Sequence, residues 1–354
     1  MSKTIKNVFD EHLTFVKLLE AEQRASIGKK NKKEVILFEM DLETNIIKIL
    51  NELKNDTYKF GKYRSFIIYE PKERLIRSLP FRDRIVHQWY IEEFIKPFMY
   101  KRFIKDTYAC LDDKGTHKAV EITQKYMKRM KKKYGKYYIL KCDIKKYFYS
   151  IDKSILINIL SNLISDKKLM SFTYKILADG ENISIPIGNY TSQWFANIYL
   201  NELDHYVKEK LCVKYYVRYM DDFIFLLKDK EECKLVLNNI RAFLSEKLHL
   251  ELNHKTKYYP STMGINFCGF RIFETHRLLR NRCKKKIKKN INLWNRLYLE
   301  KKLNKHKVLL CWNSFLGHAS HGSSYNFVNK LVDKILFYEK RFMKLVAKIK
   351  YKNY

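Results

Sequence analysis

Three features of this 354-residue sequence predict an α+β core followed by an all-helical, basic tail. β-branched and aromatic runs alternate with stretches whose apolar residues are spaced three and four apart. Two of the β-rich runs carry acids where a buried strand would not tolerate them. From Asn281 onward the text is helical and crowded with lysine. At 46% hydrophobic and 15% aromatic residues, the chain can bury a core large enough for two or three subdomains.

Taken in order, residues 4–25 and 32–53 show helical apolar spacing and flank the basic stretch GKKNKK. SFIIYE (65–70) and RLIRSLP (74–80) form two strands around PKE, a hairpin with Lys72 and Arg74 at or just past its tip. RDRIVHQWYIEEFIKPFM is helical, as is Thr116 to about Lys133. YYILKCDI (137–144) is a strand ending on an acid, and helical text runs on to about Leu177. After a loop centred on IPIGN come a helix (191–211), a strand pair in KYYVRYMDDFIFLL (214–227), a helix in EECKLVLNNIRAFLSEKL and a strand in GINFCGFRIFE (264–274). The tail is interrupted only near GHASHGSS. Five prolines, ten glycines and no Gly/Ser tract leave no obvious linker.

Charge narrows the partners. With 71 Lys+Arg against 38 Asp+Glu, the net charge of +33 exceeds what solubility needs and points to a polyanion. The many aromatics favour nucleic acid over an anionic membrane surface. Seven scattered cysteines without a C-x-x-C pair read as free thiols in a reducing compartment. The His and Cys spacings fit no structural zinc pattern. No apolar leader or 18-residue apolar run occurs, so a cytoplasmic protein without membrane contact is expected.

VRYMDDFIFLL (217–227) sets Asp221 and Asp222 inside an apolar run. A hairpin bent at Met220, Asp221 and Asp222 would bury its arms and project both carboxylates from its tip. Two such charges repel unless cations neutralise them, and hard oxygen donors suit Mg²⁺ or Mn²⁺. Asp143, closing LKCD, supplies a third acid. Together the three could hold two metals about 3.5–4 Å apart for in-line phosphoryl displacement.

On YMDD (219–222) and DIKKYFYSID (143–152), in that spatially meaningful order, the chain resembles a bacterial reverse transcriptase of the group II intron-related type. It is most similar to those of diversity-generating retroelements and of phage defence, over roughly residues 55–320. The resemblance implies a right-hand polymerase with fingers and palm (antiparallel sheet plus helices) and a C-terminal helical thumb. Its expected boundaries are an N-terminal helical extension at 1–60, fingers and palm at 61–273 and thumb at 274–354. Implied metal ligands for two Mg²⁺, with Mn²⁺ able to substitute, are Asp143, Ile144, Asp221 and Asp222. Lys255, in LELNHKTK, resembles the lysine that protonates pyrophosphate. PFRDRIVHQ (80–88), with Lys72, Arg74 and Arg82, resembles the fingers segment that holds the triphosphate. Phe148 resembles the gate that rejects a 2′-hydroxyl. Tyr219, Met220 and the IPIGNYTSQ stretch, with Ile187, Gly188 and Gln193, complete the implied substrate contacts. Ile187 and Gln193 depart from the intron enzymes, which usually carry Gln and Pro there; the TSQ form resembles the diversity-generating group, in which the loss of that Gln accompanies relaxed copying fidelity. GINFCGFRIF resembles the primer grip.

The resemblance implies an RNA-directed DNA polymerase acting on a template RNA, often a non-coding RNA encoded nearby, with a primer and dNTPs. A small accessory protein and a homo-oligomer are further implied partners. Two other readings stand beside it: a non-enzymatic, maturase-like RNA-binding scaffold, and a template-independent polymerase. No RNase H, integrase or endonuclease domain is expected after the thumb, and neither NAxxH nor VTG, seen in retron enzymes, occurs.

Overall fold

Each of the two expected N-terminal helices is divided in the computed structural model, which describes residues 4–69, 73–178, 184–337 and 340–352. Phe9–His12 (α1) and Phe15–Ser26 (α2) replace the first, and Lys33–Glu39 (α3) and Leu42–Lys54 (α4) the second. The breaks fall at residues that prefer caps. Thr14 turns extended, and its Oγ1 accepts the Lys17 N–H at 3.3 Å; Asp41 leaves the helical region at φ −134°, ψ 53°.

The hairpin follows as Arg64–Ile68 (β1) and Arg74–Ser78 (β2), registered from Arg64↔Ser78 to Ile68↔Arg74. The next helix, Phe81–Tyr90 (α5), passes through a π-helical turn at Ile91–Ile95 into Lys96–Met99 (α6). Pro97 accounts for the widened turn, because its ring clashes with the carbonyl four residues back. Thr116–Tyr134 (α7) runs between Gly115 and Gly135 and leads into Tyr138–Asp143 (β3). The helical text beyond β3 resolves into Tyr147–Ser150 (α8), Lys153–Leu163 (α9), Lys167–Ala178 (α10) and Tyr190–His205 (α11). Then come Tyr216–Tyr219 (β4), Asp222–Leu227 (β5), Lys230–Leu248 (α12) and Lys257–Pro260 (β6).

The single strand expected at 264–274 is a hairpin, Ile265–Phe267 (β7) and Phe270–Ile272 (β8). Cys268 and Gly269 turn it with φ of 43° and 88°, the left-handed pair that matches strand twist. Arg277–Leu279 (β9) and β6 carry no clear period-two signal in so few residues. The regular structure of the tail is helical in its described residues: Asn281–Leu299 (α13), Lys305–Ala319 (α14), Tyr325–Val332 (α15) and Lys340–Lys352 (α16). Among the described residues no helix is long and apolar enough to cross a membrane.

The fold is α+β, and among the described residues the strands form three sheets: β1-β2, the four-stranded β4-β5-β3-β6, and β7-β8-β9. In the second, β6 is the edge strand, where Pro260 costs no ladder bond. The chain divides into two compact units drawn from separated stretches.

One unit comprises Met1–Leu111, Cys142–Lys214 and Val236–Thr256. Its core is an aromatic cluster in which Trp89 meets Phe9, Phe94 and Phe172 at 5.6, 5.0 and 6.0 Å between ring centroids. Asp166 ties the N-terminus to it, accepting the Val8 and Phe9 N–H groups at 2.8 and 3.0 Å. The other unit comprises Asp112–Lys141, Tyr215–Leu235 and Lys257–Tyr354. There Tyr216 stacks on Phe225 at 4.8 Å, and Tyr137 donates to Glu274 at 2.7 Å.

Candidate active site

The acids of the YMDD stretch sit at a two-residue turn. β4 and β5 pair from Tyr216↔Phe225 to Tyr219↔Asp222, so Met220 and Asp221 alone make the reversal. The arms are buried: Val217, Phe223, Ile224 and Phe225 have no exposed surface. Met220 takes φ 54°, a conformation glycine would adopt freely and methionine adopts at a cost of about 1–3 kcal/mol. Arg218, fully buried, holds that turn by donating from Nη1 to the Met220 carbonyl at 3.2 Å. The two acids are not equivalent. Asp221 lies in the turn, whereas Asp222 opens β5 with Lys141 Nζ 2.9 Å from its carboxylate oxygens.

Asp143 ends β3, the strand beside β5 in the four-stranded sheet. The backbone around it is fastened to the segment after α12. Asn253 donates its N–H to the Asp143 carbonyl at 2.7 Å, Lys145 donates to Glu251 at 2.9 Å, and Ile144 bridges Leu252. Lys255 is exposed in the tight turn just after those partners, its N–H on Asn253 Oδ1 at 3.1 Å. Lys255 therefore rides on the segment that is pinned to Asp143. Phe148, in α8, is half-buried rather than sealed in the core; its carbonyl accepts the Ile185 N–H at 3.4 Å.

The hairpin and the IPIGN loop are knitted together within one unit. Arg77 donates its N–H to the Ile187 carbonyl at 2.8 Å. Gly188 follows at φ 132°, where an added Cβ would stand 2.4 Å from the Arg77 carbonyl oxygen. No side chain can fit there. Gly188→Ala is therefore expected to push the loop off β2 and, if this is the nucleotide pocket, to raise KM for dNTP by about tenfold or more, since even a 1 Å displacement can cost 10²-fold. Steady-state single-nucleotide addition measures it.

The remaining expected contacts separate. Arg74 is exposed on β2, while Lys72 lies outside the described residues. The Arg82 guanidinium pairs with Glu52 and lies 4.7 Å over the Tyr58 ring. Tyr58 in turn donates to the buried Asp83 at 2.6 Å, so Arg82 supports the fold of this segment. Gln193 is exposed on α11, accepting from Cys110 Sγ at 3.5 Å. Tyr219 is half-buried at the end of β4. His318 sits in the last turn of α14, and His321 follows the helix, stacked on His117 with centroids 3.6 Å apart.

Among the described residues no three His, Cys, Asp or Glu side chains are gathered closely enough to hold a metal ion. The carboxylates of Asp143 and Asp221, with the Ile144 carbonyl, have the hard-oxygen chemistry of a Mg²⁺ donor set. Asp222 fits that role less well, because an ammonium already faces it.

Sequence reasoning missed four residues here. Lys141 was findable, since it stands two positions before Asp143 and so on the same face of β3. Arg218 was visible as a lone charge in an apolar strand. Asn266 and Arg280 had no local signal. They line a cavity of about 480 Å³ with Arg271, Leu278, Arg282 and Lys284, at the start of α13. Arg280 keeps a buried Nε with no hydrogen-bond partner. This is a strongly cationic recess beside β7.

An acid-tipped antiparallel hairpin, a neighbouring acid-ended strand and a cationic recess are parts suited to phosphoryl chemistry on a polyanion. The sequence profile described as reverse transcriptase (RNA-dependent DNA polymerase) matches residues 62–272, over half of the chain, and the chain belongs to that family. It is similar to the group II intron-encoded protein LtrA of Lactococcus lactis subsp. cremoris, 25% identical over 307 residues, covering 65% of this chain and 50% of the relative. It is also similar to the putative COX1/OXI3 intron 2 protein of Saccharomyces cerevisiae, 24% identical over 298 residues, covering 65% of this chain and 33% of that protein. The chain thus spans half or less of the length of these relatives. Among solved structures it is similar to apo telomerase from Candida tropicalis, with 13% identity, a TM-score of 0.49, and coverage of 85% of this chain and 66% of that one.

Proposed function

We propose that this chain is an RNA-directed DNA polymerase that extends a primer 3′ end on an RNA template. The observation that carries the reading is the placement of Asp143 at the end of β3 and of Asp221 in the β4–β5 turn, strands of one four-stranded sheet within the matched family region. Asp143, Asp221 and the Ile144 carbonyl would hold Mg²⁺, which when bound supplies Lewis-acid stabilisation of charge at the transferring phosphate. Lys255 is suited to give a proton to the departing pyrophosphate. Arg74 and the Arg77–Gly188 joint serve the triphosphate and sugar. Phe148 excludes the 2′-hydroxyl. The template is a structured or non-coding RNA, and the biological setting is a diversity-generating retroelement or phage defence.

Incorporation of labelled dNTP on a primed RNA template tests the reading, with Asp221→Ala as control. Activity in wild type and none in the variant is expected. Equal signal in both would remove the site assignment, and absence in wild type across templates, primers and metals would leave a binding scaffold. Sequencing nucleic acid that copurifies with the protein separates the two settings: copies of a variable repeat support diversification, and other products support defence.

The basic tail is expected to carry the affinity. On α13, Ile287, Ile291 and Trp294 form the buried stripe, leaving Lys285, Lys286, Lys288 and Lys289 exposed; Tyr298 lies at the rim, 39% exposed. Lysines so spread suit duplex phosphates. Log K for a duplex should fall with log salt by about 0.9 per phosphate neutralised. A flat response in filter binding between low and physiological salt would refute an electrostatic footprint.

A further inference from the structure

The side chain of Lys141 belongs to neither the expected metal ligands nor the nucleotide contacts. It projects from β3 two residues before Asp143, and its Nζ meets the Asp222 carboxylate at 2.9 Å. The same ammonium donates to the backbone carbonyl of Asn266, on β7, at 2.5 Å, and lies 5.8 Å from the centre of the Phe267 ring. One charge therefore joins three strands belonging to two different sheets, all within one compact unit. Its side chain and that of Asp222 are only 21% and 29% exposed, so solvent screens the pair less than it would at the surface.

The strand it grips has a second role. Asn266 lines the cationic cavity with Arg271, Arg280, Arg282 and Lys284. The same three-residue strand opens the β7–β8 hairpin, whose left-handed turn falls at Cys268 and Gly269. A strand of three residues is not rigid by itself. Its register against the acid-bearing turn needs an outside tie, and Lys141 is placed to be one.

We propose that Lys141 is a positioning residue for nucleotidyl transfer. By neutralising Asp222 and hydrogen-bonding Asn266, it holds the Met220–Asp221 turn in register with β7, so that a backbone phosphate in the cationic cavity and the Asp221 carboxylate keep a fixed spacing. Asp222 then acts as the anchor of Lys141 and not as a metal ligand. This inference rests on the polymerase reading for its kinetic consequence, but not for its structural one.

The test compares Lys141→Met, Lys141→Arg, Asp222→Asn and the double variant Lys141→Met/Asp222→Asn in the full chain. Two readouts are used: single-nucleotide addition on a primed RNA template, and amide hydrogen exchange at residues 265–267. Lys141→Met keeps an unbranched side chain one atom shorter and removes the charge. It should lower kcat by about 10- to 100-fold with dNTP KM changed less than about threefold, the signature of ångström-scale misplacement rather than lost binding. Exchange at 265–267 should quicken by about tenfold, as local opening becomes easier. Lys141→Arg should return kcat to within about fivefold of wild type, and the double variant should be no worse than the poorer single one, because the two residues act as a unit.

Multiplicative losses in the double variant, or unchanged exchange at 265–267 in Lys141→Met, would overturn the proposal. Should Lys141→Met not fold, Asp222→Asn carries the exchange test: it releases the same anchor and must also quicken exchange at 265–267. If wild type adds no nucleotide at all, the polymerase reading falls, while the exchange measurement still decides whether Lys141 ties the strands.

Discussion

Asp143→Asn and Asp221→Asn each reduce primer extension by at least about 10³-fold while leaving RNA affinity within about twofold, on the reading of these acids as metal donors. Asparagine keeps the shape of the side chain and removes the charge. What is lost is several kcal/mol of transition-state stabilisation, at 1.36 kcal/mol per tenfold in rate. What is kept is the phosphate contact surface, since that is made by lysines and arginines elsewhere in the chain. Removing one negative charge from a chain of net charge +33 even favours RNA slightly. Rapid-quench extension and filter binding on the same preparations read the two effects separately. Activity within tenfold of wild type in either variant would sink the assignment of that residue. A parallel loss of RNA binding would mean the substitution had damaged the fold.

Phe148→Ala opens the pocket to ribonucleotides, with the preference for dNTP over rNTP falling by about 10³-fold, which asks only about 4 kcal/mol of a steric clash. The ring is half-buried in a four-residue helix whose backbone is fixed to Ile185, so its position is set by its surroundings and it has surface to offer a sugar. Competition between each dNTP and its rNTP in single-nucleotide addition measures the ratio. Wild type that uses rNTPs equally well would show that Phe148 is no gate and would bring an RNA polymerase activity into view. Unlike the acid substitutions, this one leaves dNTP incorporation largely intact, which separates a specificity residue from a member of the catalytic group.

Much of the fold was legible locally. Helical spacing located α7, α12 and the tail because each buries one stripe against a core, and that stripe is written at fixed intervals, whereas α11 is buried nearly all round. The Asp221–Asp222 hairpin was legible because a pair of charges cannot sit in a buried strand, so the chain must turn there. Shorter pieces were not. Thr14 and Asp41 break helices whose apolar spacing continues across the break, and β7, β8 and β9 are three residues each, too short for a period of two to stand out. The π-helical turn before α6 followed from Pro97, although spacing alone read one continuous helix.

For the site, the sequence by itself determined the chemical inventory: Asp143 and Asp221 as hard-oxygen donors, a bulky Phe148, a glycine at 188, and a basic surface for a polyanion. These depend on residue type and near neighbours, which a linear text records. Only the tertiary structure decided how the charges are distributed among partners. Arg82, expected at the triphosphate, pairs with Glu52 and lies over Tyr58, 30 and 24 positions upstream. Asp222, expected beside Asp221 as a metal ligand, faces Lys141, which also grips Asn266 across 125 positions of sequence. Gly188 leaves no room for a Cβ because of a carbonyl at Arg77 that no local pattern announces. An ion pair or a close approach is a fact about distance in space, and charge strength falls with that distance, not with separation along the chain.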